Sequence, residues 1–245
     1  MLWCGKYSQE GSGRSKYSDK DYDLFPRYIV LREILEGVES LVEQYFSSLD
    51  DCKAELKLIG LTSNSKFTAD GQNSIKNNAI QDERNKFVTF INNITNSDLD
   101  QVEPLPYRRK MNIDEAKQIR QQLFKIWKYD SYWDPLDDCS PKPTVFLMQA
   151  NVTDDDIERI LEAVKERANN RIFWINEDHV DYEIEIDSFD PTKLYETICC
   201  DNNFDWVIYG SHESTITFGG TWLIEIVKQL FSDREDKLNL WERTW

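Results

Sequence analysis

The chain has 245 residues with 29 basic and 45 acidic side chains, a formal net charge of −16, and 13% of its residues are aromatic. The aromatic content argues against general disorder, because disordered segments are poor in rings. The acidic balance argues against nucleic acid and anionic membranes as partners, and no window of about 18 consecutive apolar residues predicts a transmembrane helix.

The charge is distributed unevenly along the chain. Residues 1–110 carry 15 basic and 17 acidic side chains, whereas residues 111–245 carry 14 basic and 28 acidic ones, a net charge of −14. The second part also holds seven of the eight tryptophans. Because an acidic surface attracts basic proteins and repels nucleic acid, the sequence predicts a basic protein partner, with no nucleic acid and no membrane.

The first part of the chain is predicted to be mostly helical. Residues 1–23 have little apolar periodicity and are interpreted as a mobile N-terminal arm. From Pro26 to Phe46, apolar residues recur at steps of three and four, which predicts a helix of roughly five turns. A shorter helix is expected to be capped by Asp50 or Asp51 and to end at Gly60.

Residues 61–78 are polar and are interpreted as a loop, and the apolar positions of 80–94 predict a further helix. Two prolines in the stretch 96–106 mark the boundary. The predicted organisation is therefore an arm over 1–23, a helical region over 24–100 and an acidic, Trp-rich domain over 101–245.

The second part alternates between helical and extended patterns. Helices are predicted at 113–128, after the cap residue Thr153, and after Gly219-Gly220, with a short helix over 190–198. Strands are predicted at 144–150, 171–175, 180–187, 204–209 and 215–218. The fold class is α+β: a mostly helical N-terminal part followed by a mixed, mainly antiparallel sheet with helices on one face.

The five cysteines have irregular spacing that fits neither a disulfide framework nor a zinc site. Reduced cysteines and an N-terminal apolar run too short for a signal peptide indicate a cytoplasmic protein. The chain also lacks the glycine-rich phosphate loops and the hydrolase motif, so no cofactor, metal or catalytic residue is predicted. The run Asp154-Asp155-Asp156 is interpreted as the first turn of a helix rather than a Mg²⁺ or Ca²⁺ site.

The two histidines leave several interpretations open. The tripeptide Ser211-His212-Glu213 lies at a predicted hairpin tip. His212 is interpreted as a surface turn residue, a hydrogen-bonded structural or interface residue, or a catalytic residue. An enzyme that uses His212 and Glu213 in a cleft is the alternative to a binding protein. His179 follows Glu177-Asp178, which could hold a cation, but no second histidine lies at ligand spacing.

Candidate partner-binding residues come from the acidic loop, the acidic strand and the hairpin. Trp133 in the loop is a candidate anchor, because tryptophan is enriched at interface hot spots, although packing onto its own domain is an equal alternative. The carboxylates of the loop and strand would steer association. The full set is Trp133, Asp134, Asp137, Asp138, Asp181, Glu183, Glu185, His212 and Glu213. The basic triplet Arg108-Arg109-Lys110 is instead expected to pair with carboxylates of the same chain.

Three stretches of the second part carry a resemblance: Pro106-Tyr107-Arg108-Arg109, Tyr132-Trp133-x-Pro135-Leu136, and residues 204–220 (FDWVIYGSHESTITFGG). Together they resemble a recurring pattern in uncharacterised bacterial proteins over roughly residues 105–231. In composition they are similar to the acidic immunity proteins that neutralise polymorphic toxins. The resemblance implies an inhibitor-like protein whose basic partner is a toxin such as a nuclease, and it implies no catalytic residue.

Overall fold

The computed structural model describes residues 24–63, 74–130, 133, 142–177 and 180–241. The chain divides into two compact units, Met1–Pro104 and Leu105–Trp245. The predicted N-terminal arm, the loop residues Asp134, Asp137 and Asp138, and the Asp178-His179 pair lie outside the described residues.

The first unit is helical over its described residues. Its elements are α1 (Leu24–Glu39), α2 (Leu49–Thr62), α3 (Ser74–Asn93) and the one-turn α4 (Asn96–Leu99). Val30 and Ile34 of α1 pack with Ile80 of α3 as the buried core of this unit.

Four helix ends in the first unit differ from the prediction, one of them the start of α3 at Ser74, which lies within the predicted loop 61–78. The helix expected to reach Phe46 ends at Glu39, and the chain then turns through Glu43 in the left-handed region at φ 68°. The N-cap of α2 is Ser48, whose hydroxyl accepts a hydrogen bond from the Asp51 amide, so neither aspartate is the cap. Gly60 lies inside α2, where an added Cβ would come within 2.6 Å of Phe87 Cδ1, so this glycine allows close packing on α3 rather than ending the helix.

The second unit contains a seven-stranded sheet with strands β1 (Arg108–Lys110), β2 (Thr144–Met148), β3 (Arg171–Asn176), β4 (Tyr182–Glu185), β5 (Thr197–Cys200), β6 (Val207–Gly210) and β7 (Thr215–Gly219). The strand order is β1-β4-β3-β5-β6-β7-β2, and every neighbouring pair is antiparallel. Its helices are α5 (Ile113–Trp127), α6 (Asp154–Arg167) and α7 (Thr221–Leu230). The predicted α+β class is confirmed.

Two strands were not predicted, and both show where local sequence is a poor guide. The short helix expected over 190–198 is a 3₁₀ turn at Pro191–Lys193 followed by the strand β5. All four residues of β5 are buried, so its two faces are covered and no alternation marks it in the sequence. The edge strand β1 is three charged residues, a composition that protects sheet edges and hides the strand.

Helices cover both faces of the sheet, rather than one face as predicted. On one face α6 and α7 pack on Cys199 and Ile208. On the other face, Leu123 and Trp127 of α5 pack on Val207. Because side chains alternate along a strand, the fully buried central strands supply residues to two cores. No helix within the described ranges has the length and apolar character needed to cross a membrane.

Candidate functional site

Two carboxylates of the predicted acidic strand are neutralised within their own domain. Asp181 accepts hydrogen bonds from Arg120 Nε at 2.9 Å and Nη2 at 2.8 Å. Glu183 accepts from Arg109 Nη2 at 3.0 Å and from the Tyr107 hydroxyl at 2.8 Å. Two candidate partner-binding carboxylates are therefore already satisfied by the fold.

Arg109 of the basic triplet is the centre of one of these networks. Its guanidinium also donates to both carboxylate oxygens of Glu115, and this hydrogen bonding lowers the pKa of Glu115. Arg108, beside it, lies over the ring of Tyr182 at 3.9 Å from the centroid. The prediction that this triplet pairs with carboxylates of the same chain is confirmed for Arg109.

Trp133 is buried rather than exposed, with 1% of its surface accessible. Its ring packs edge-on against Tyr209 at 5.7 Å and Trp127 at 6.4 Å between centroids. Of the two interpretations of Trp133, the structure favours packing onto its own domain over an exposed anchor. Glu185 is half-buried at the end of β4.

Exposed negative charge is instead concentrated on α6. Four carboxylates of this helix are exposed at steps of four residues: Asp154, Glu158, Glu162 and Glu166. Residues at this spacing lie on one helix face, so the four form a line about 18 Å long. We call this line the α6 ridge. Within the described part of the chain, none of its members has an ion-pair or hydrogen-bond partner for its side chain.

The three basic residues of α6 are engaged away from the ridge. Arg159 pairs with Asp155 at 3.3 Å, and Lys165 pairs with Asp187 at 2.7 Å. The guanidinium of Arg167 lies over the ring of Trp222, 5.1 Å from its centroid. The charge of the ridge therefore stays available to a partner. Sequence reasoning missed these residues, although the four-residue spacing of the carboxylates was a usable signal.

A second candidate site lies at one end of the sheet, where the central strands β3, β5 and β6 begin or end. Antiparallel register aligns Asn176 of β3 with Thr197 of β5, and Thr197 with Gly210 of β6. The residues just beyond these positions are Glu177, Glu196 and the Ser211-His212-Glu213 turn. The fold thus brings three segments that are distant in sequence to one place. Glu196 lay in a segment predicted to be helical, so no sequence pattern could place it beside His212.

His212 lies between two carboxylates. Its Nδ1 contacts Glu196 Oε1, and its Nε2 lies 2.5 Å from Glu213 Oε1. The backbone amide of His212 also donates to Glu196 Oε1 at 2.6 Å, and the Tyr209 hydroxyl donates to Glu196 Oε2 at 3.1 Å. The ligand-type atoms of Glu196, His212 and Glu213 lie within 4.8 Å of one another, a spacing that could hold a metal ion.

These contacts shift the pKa values of both His212 and Glu196. Hydrogen bonding to Glu196 raises the pKa of His212, against a smaller opposing effect of burial. Burial raises the pKa of Glu196, but hydrogen bonds from Glu177, His212 and Tyr209 outweigh it and lower the pKa overall. An imidazole held between two carboxylates favours its protonated form, which is unsuited to act as a general base.

The neighbouring serine is not connected to His212. The Ser211 hydroxyl pairs with the Thr215 hydroxyl at 2.8 Å and accepts from the Glu213 amide at 3.2 Å. Ser211 is buried, whereas 48% of the His212 side chain is exposed. The geometry shows no contact between a hydroxyl nucleophile and this histidine within the described residues, so it gives no support to the enzyme alternative.

A cavity of about 750 Å³ lies along α5 in the second unit. Its lining combines apolar groups such as Met111 and Phe124 with Lys117 and the Arg120–Asp181 pair. This volume is in the range of small-molecule sites. The lining carries charges of both signs. No pattern in the sequence indicated this cavity.

Comparison of the chain with protein-family models, curated proteins and solved structures gives no match.

Proposed function

We propose that this protein binds a basic protein partner, and that the α6 ridge is the surface that attracts it. The single observation behind the proposal is the line of four exposed, unpaired carboxylates on one face of α6. Facing charges of opposite sign raise association rates and select the partner by charge. In an immunity or inhibitor-like role, the partner would be a basic toxin such as a nuclease, and binding would occur in the cytoplasm.

The spacing of the ridge supports a role in binding because its carboxylates repel one another along the helix. Like charges at a spacing of four residues destabilise a helix by roughly 0.2–0.5 kcal/mol per pair, and the ridge contains three such pairs. In contrast, Asp156 on the buried side of the same helix is paired with Arg234 at 2.7 Å. The carboxylates that the fold uses are paired, and those of the ridge remain available.

The test uses a three-residue neutralisation of the ridge. In the first step, tagged full-length protein captures its partner from the native host at low salt, and the captured protein is identified and purified. In the second step, binding of that partner is measured at two salt concentrations with wild-type protein and with the variant Glu158→Gln/Glu162→Gln/Glu166→Gln. We expect the variant to bind at least tenfold more weakly at low salt, with most of the loss in the association rate.

A matched control removes the same charge elsewhere. Glu55, Asp100 and Glu103 are exposed residues of the first unit, and their amide variants change the net charge by the same three units. This control should bind nearly as well as wild type. Equal losses in both triple variants would assign the effect to net charge, and no loss in the ridge variant would contradict the proposal.

A further inference from the structure

We propose that Glu196, His212 and Glu213 form a binding site for a divalent transition-metal ion such as Zn²⁺. This proposal concerns the β6–β7 turn and does not depend on the partner-binding role of α6. The sequence offered no ligand spacing here, because the donors come from two segments that only the sheet register brings together.

The distances between the donor atoms fit a shared ion after small adjustments. One oxygen from each glutamate and one imidazole nitrogen lie within 4.8 Å of one another. Metal–ligand bonds of about 2.0–2.2 Å place tetrahedral ligand atoms roughly 3.4 Å apart. Closing this difference requires the His212 and Glu213 side chains, which are 48% and 30% exposed, to rotate towards the ion.

The kind of donor selects the class of ion. Ca²⁺ and Mg²⁺ prefer sites made only of oxygen, whereas an imidazole nitrogen beside carboxylates suits Zn²⁺ and its first-row neighbours. Three protein ligands leave a fourth position for water, the pattern of an open zinc site.

The surroundings hold one ligand in place, as outer groups do in metal sites. The Tyr209 hydroxyl donates to Glu196 Oε2 at 3.1 Å, which leaves Oε1 facing His212. Tyr209 itself is buried and packs against the rings of Tyr129 and Trp133. Glu196 is therefore oriented by a rigid partner before any ion arrives.

The local charge favours a cation. His212 contacts the side chains of both Glu196 and Glu213, so two carboxylates meet at one imidazole. In the described ranges, the ion pairs of Glu196 and Glu213 are both made with His212. A divalent ion that displaces the imidazole proton would balance the two carboxylate charges. With 48% of the His212 side chain exposed, the site is open to an ion from solvent.

The experiment is a calorimetric titration in which Zn²⁺ is added to metal-free full-length protein. We expect one saturable site per chain and at least tenfold weaker binding in His212→Ala and in Glu196→Gln. If Glu196→Gln does not fold, Glu213→Gln provides the same test, because it changes another proposed ligand on the β6–β7 turn. Zn²⁺ should also raise the unfolding temperature of wild type but not of His212→Ala, because an ion that binds only the folded state stabilises it.

Two controls separate this site from other ways of binding zinc. Glu158→Gln/Glu162→Gln removes acidic charge from α6 and should leave the affinity unchanged. Co²⁺ substitution should show no thiolate-to-metal charge-transfer absorption, since the proposed ligands include no cysteine. The proposal is overturned if wild type shows no saturable site, if His212→Ala binds as tightly as wild type, or if the α6 variant weakens binding to the same degree.

Discussion

Arg120 and Asp181 are 61 positions apart in sequence, yet the guanidinium donates two hydrogen bonds to the carboxylate. The same guanidinium donates to the backbone carbonyl of Asn176, and Asp181 accepts from the Asn176 amide at 3.0 Å. This one pair ties α5 to the ends of β3 and β4. Asp181, which the sequence places on an acidic strand, therefore stabilises the fold of the second unit.

Asp181→Asn should therefore destabilise the second unit rather than alter a binding surface. The substitution removes the carboxylate charge that faces Arg120, whose side chain is 25% exposed, and we expect a loss of about 2 kcal/mol. Tryptophan fluorescence during urea unfolding is the measurement, because seven of the eight tryptophans lie in residues 111–245. Glu185→Gln on the same strand is the control, and a loss as large there would remove the special role of the pair.

The parts of the fold that were predictable are those encoded locally. Thr153 forms a capping box with Asp156, and Asn112 forms one with Glu115, so both helix starts are determined within four residues of sequence. The buried strand β2 and the hairpin of β6 and β7 are likewise marked by a short apolar run or by a turn between two such runs.

The parts that were not predictable depend on contacts between distant segments. Whether β5 is a strand is decided by its pairing with β3 and β6, and strand preference depends strongly on such context. The same holds for the sites: Glu196 meets His212 at neighbouring ends of β5 and β6, and Asp181 meets Arg120 of α5. Charge composition indicated an acidic domain, but only the fold shows which carboxylates are paired and which are exposed.

Gly219 lies directly beneath the ring of Trp127. An added Cβ on Gly219 would lie 2.7 Å from Trp127 Cζ3 and 2.7 Å from Val207 Cγ2. Both neighbours are fully buried, so Gly219→Ala should overpack this core and cost about 1–3 kcal/mol of unfolding free energy.

A double-mutant cycle tests this contact. Trp127→Phe removes the ring atoms nearest to the new methyl group, so the cost of Gly219→Ala should be smaller in that background. Strictly additive costs would contradict the steric explanation.

Cys199 and Cys200 should resist alkylation in the folded protein. Both are fully buried, and burial raises the pKa of each thiol well above its ordinary value, which suppresses the reactive thiolate. Among the three cysteines in the described residues, Cys52, which is only partly buried, should react first. Mass spectrometry of single peptides after native alkylation resolves the sites, and urea-unfolded protein should show all of them modified. Labelling of Cys199 at the rate of Cys52 would contradict the packing of β5.

Stability at acidic pH should depend on Asp156. Its carboxylate accepts from Arg234 Nη2 at 2.7 Å and from the Thr153 amide at 2.9 Å. Burial raises its pKa, but these hydrogen bonds outweigh that effect and lower the pKa from 3.8 to about 2. Because the folded state favours the charged form, this stabilisation of about 2 kcal/mol is fully present above pH 3.8 and is lost as the pH falls towards 2.

The measurement is the free energy of urea unfolding of wild type and Asp156→Asn between pH 2 and 7. The difference between them should be about 2 kcal/mol near neutrality and should shrink through the window from about pH 4 to 2. Asp154→Asn, at an exposed position in the same helical turn, is the control and should cost less than about 1 kcal/mol. A difference between wild type and Asp156→Asn that stays constant down to pH 2 would show that the Arg234 pair does not stabilise the charged carboxylate.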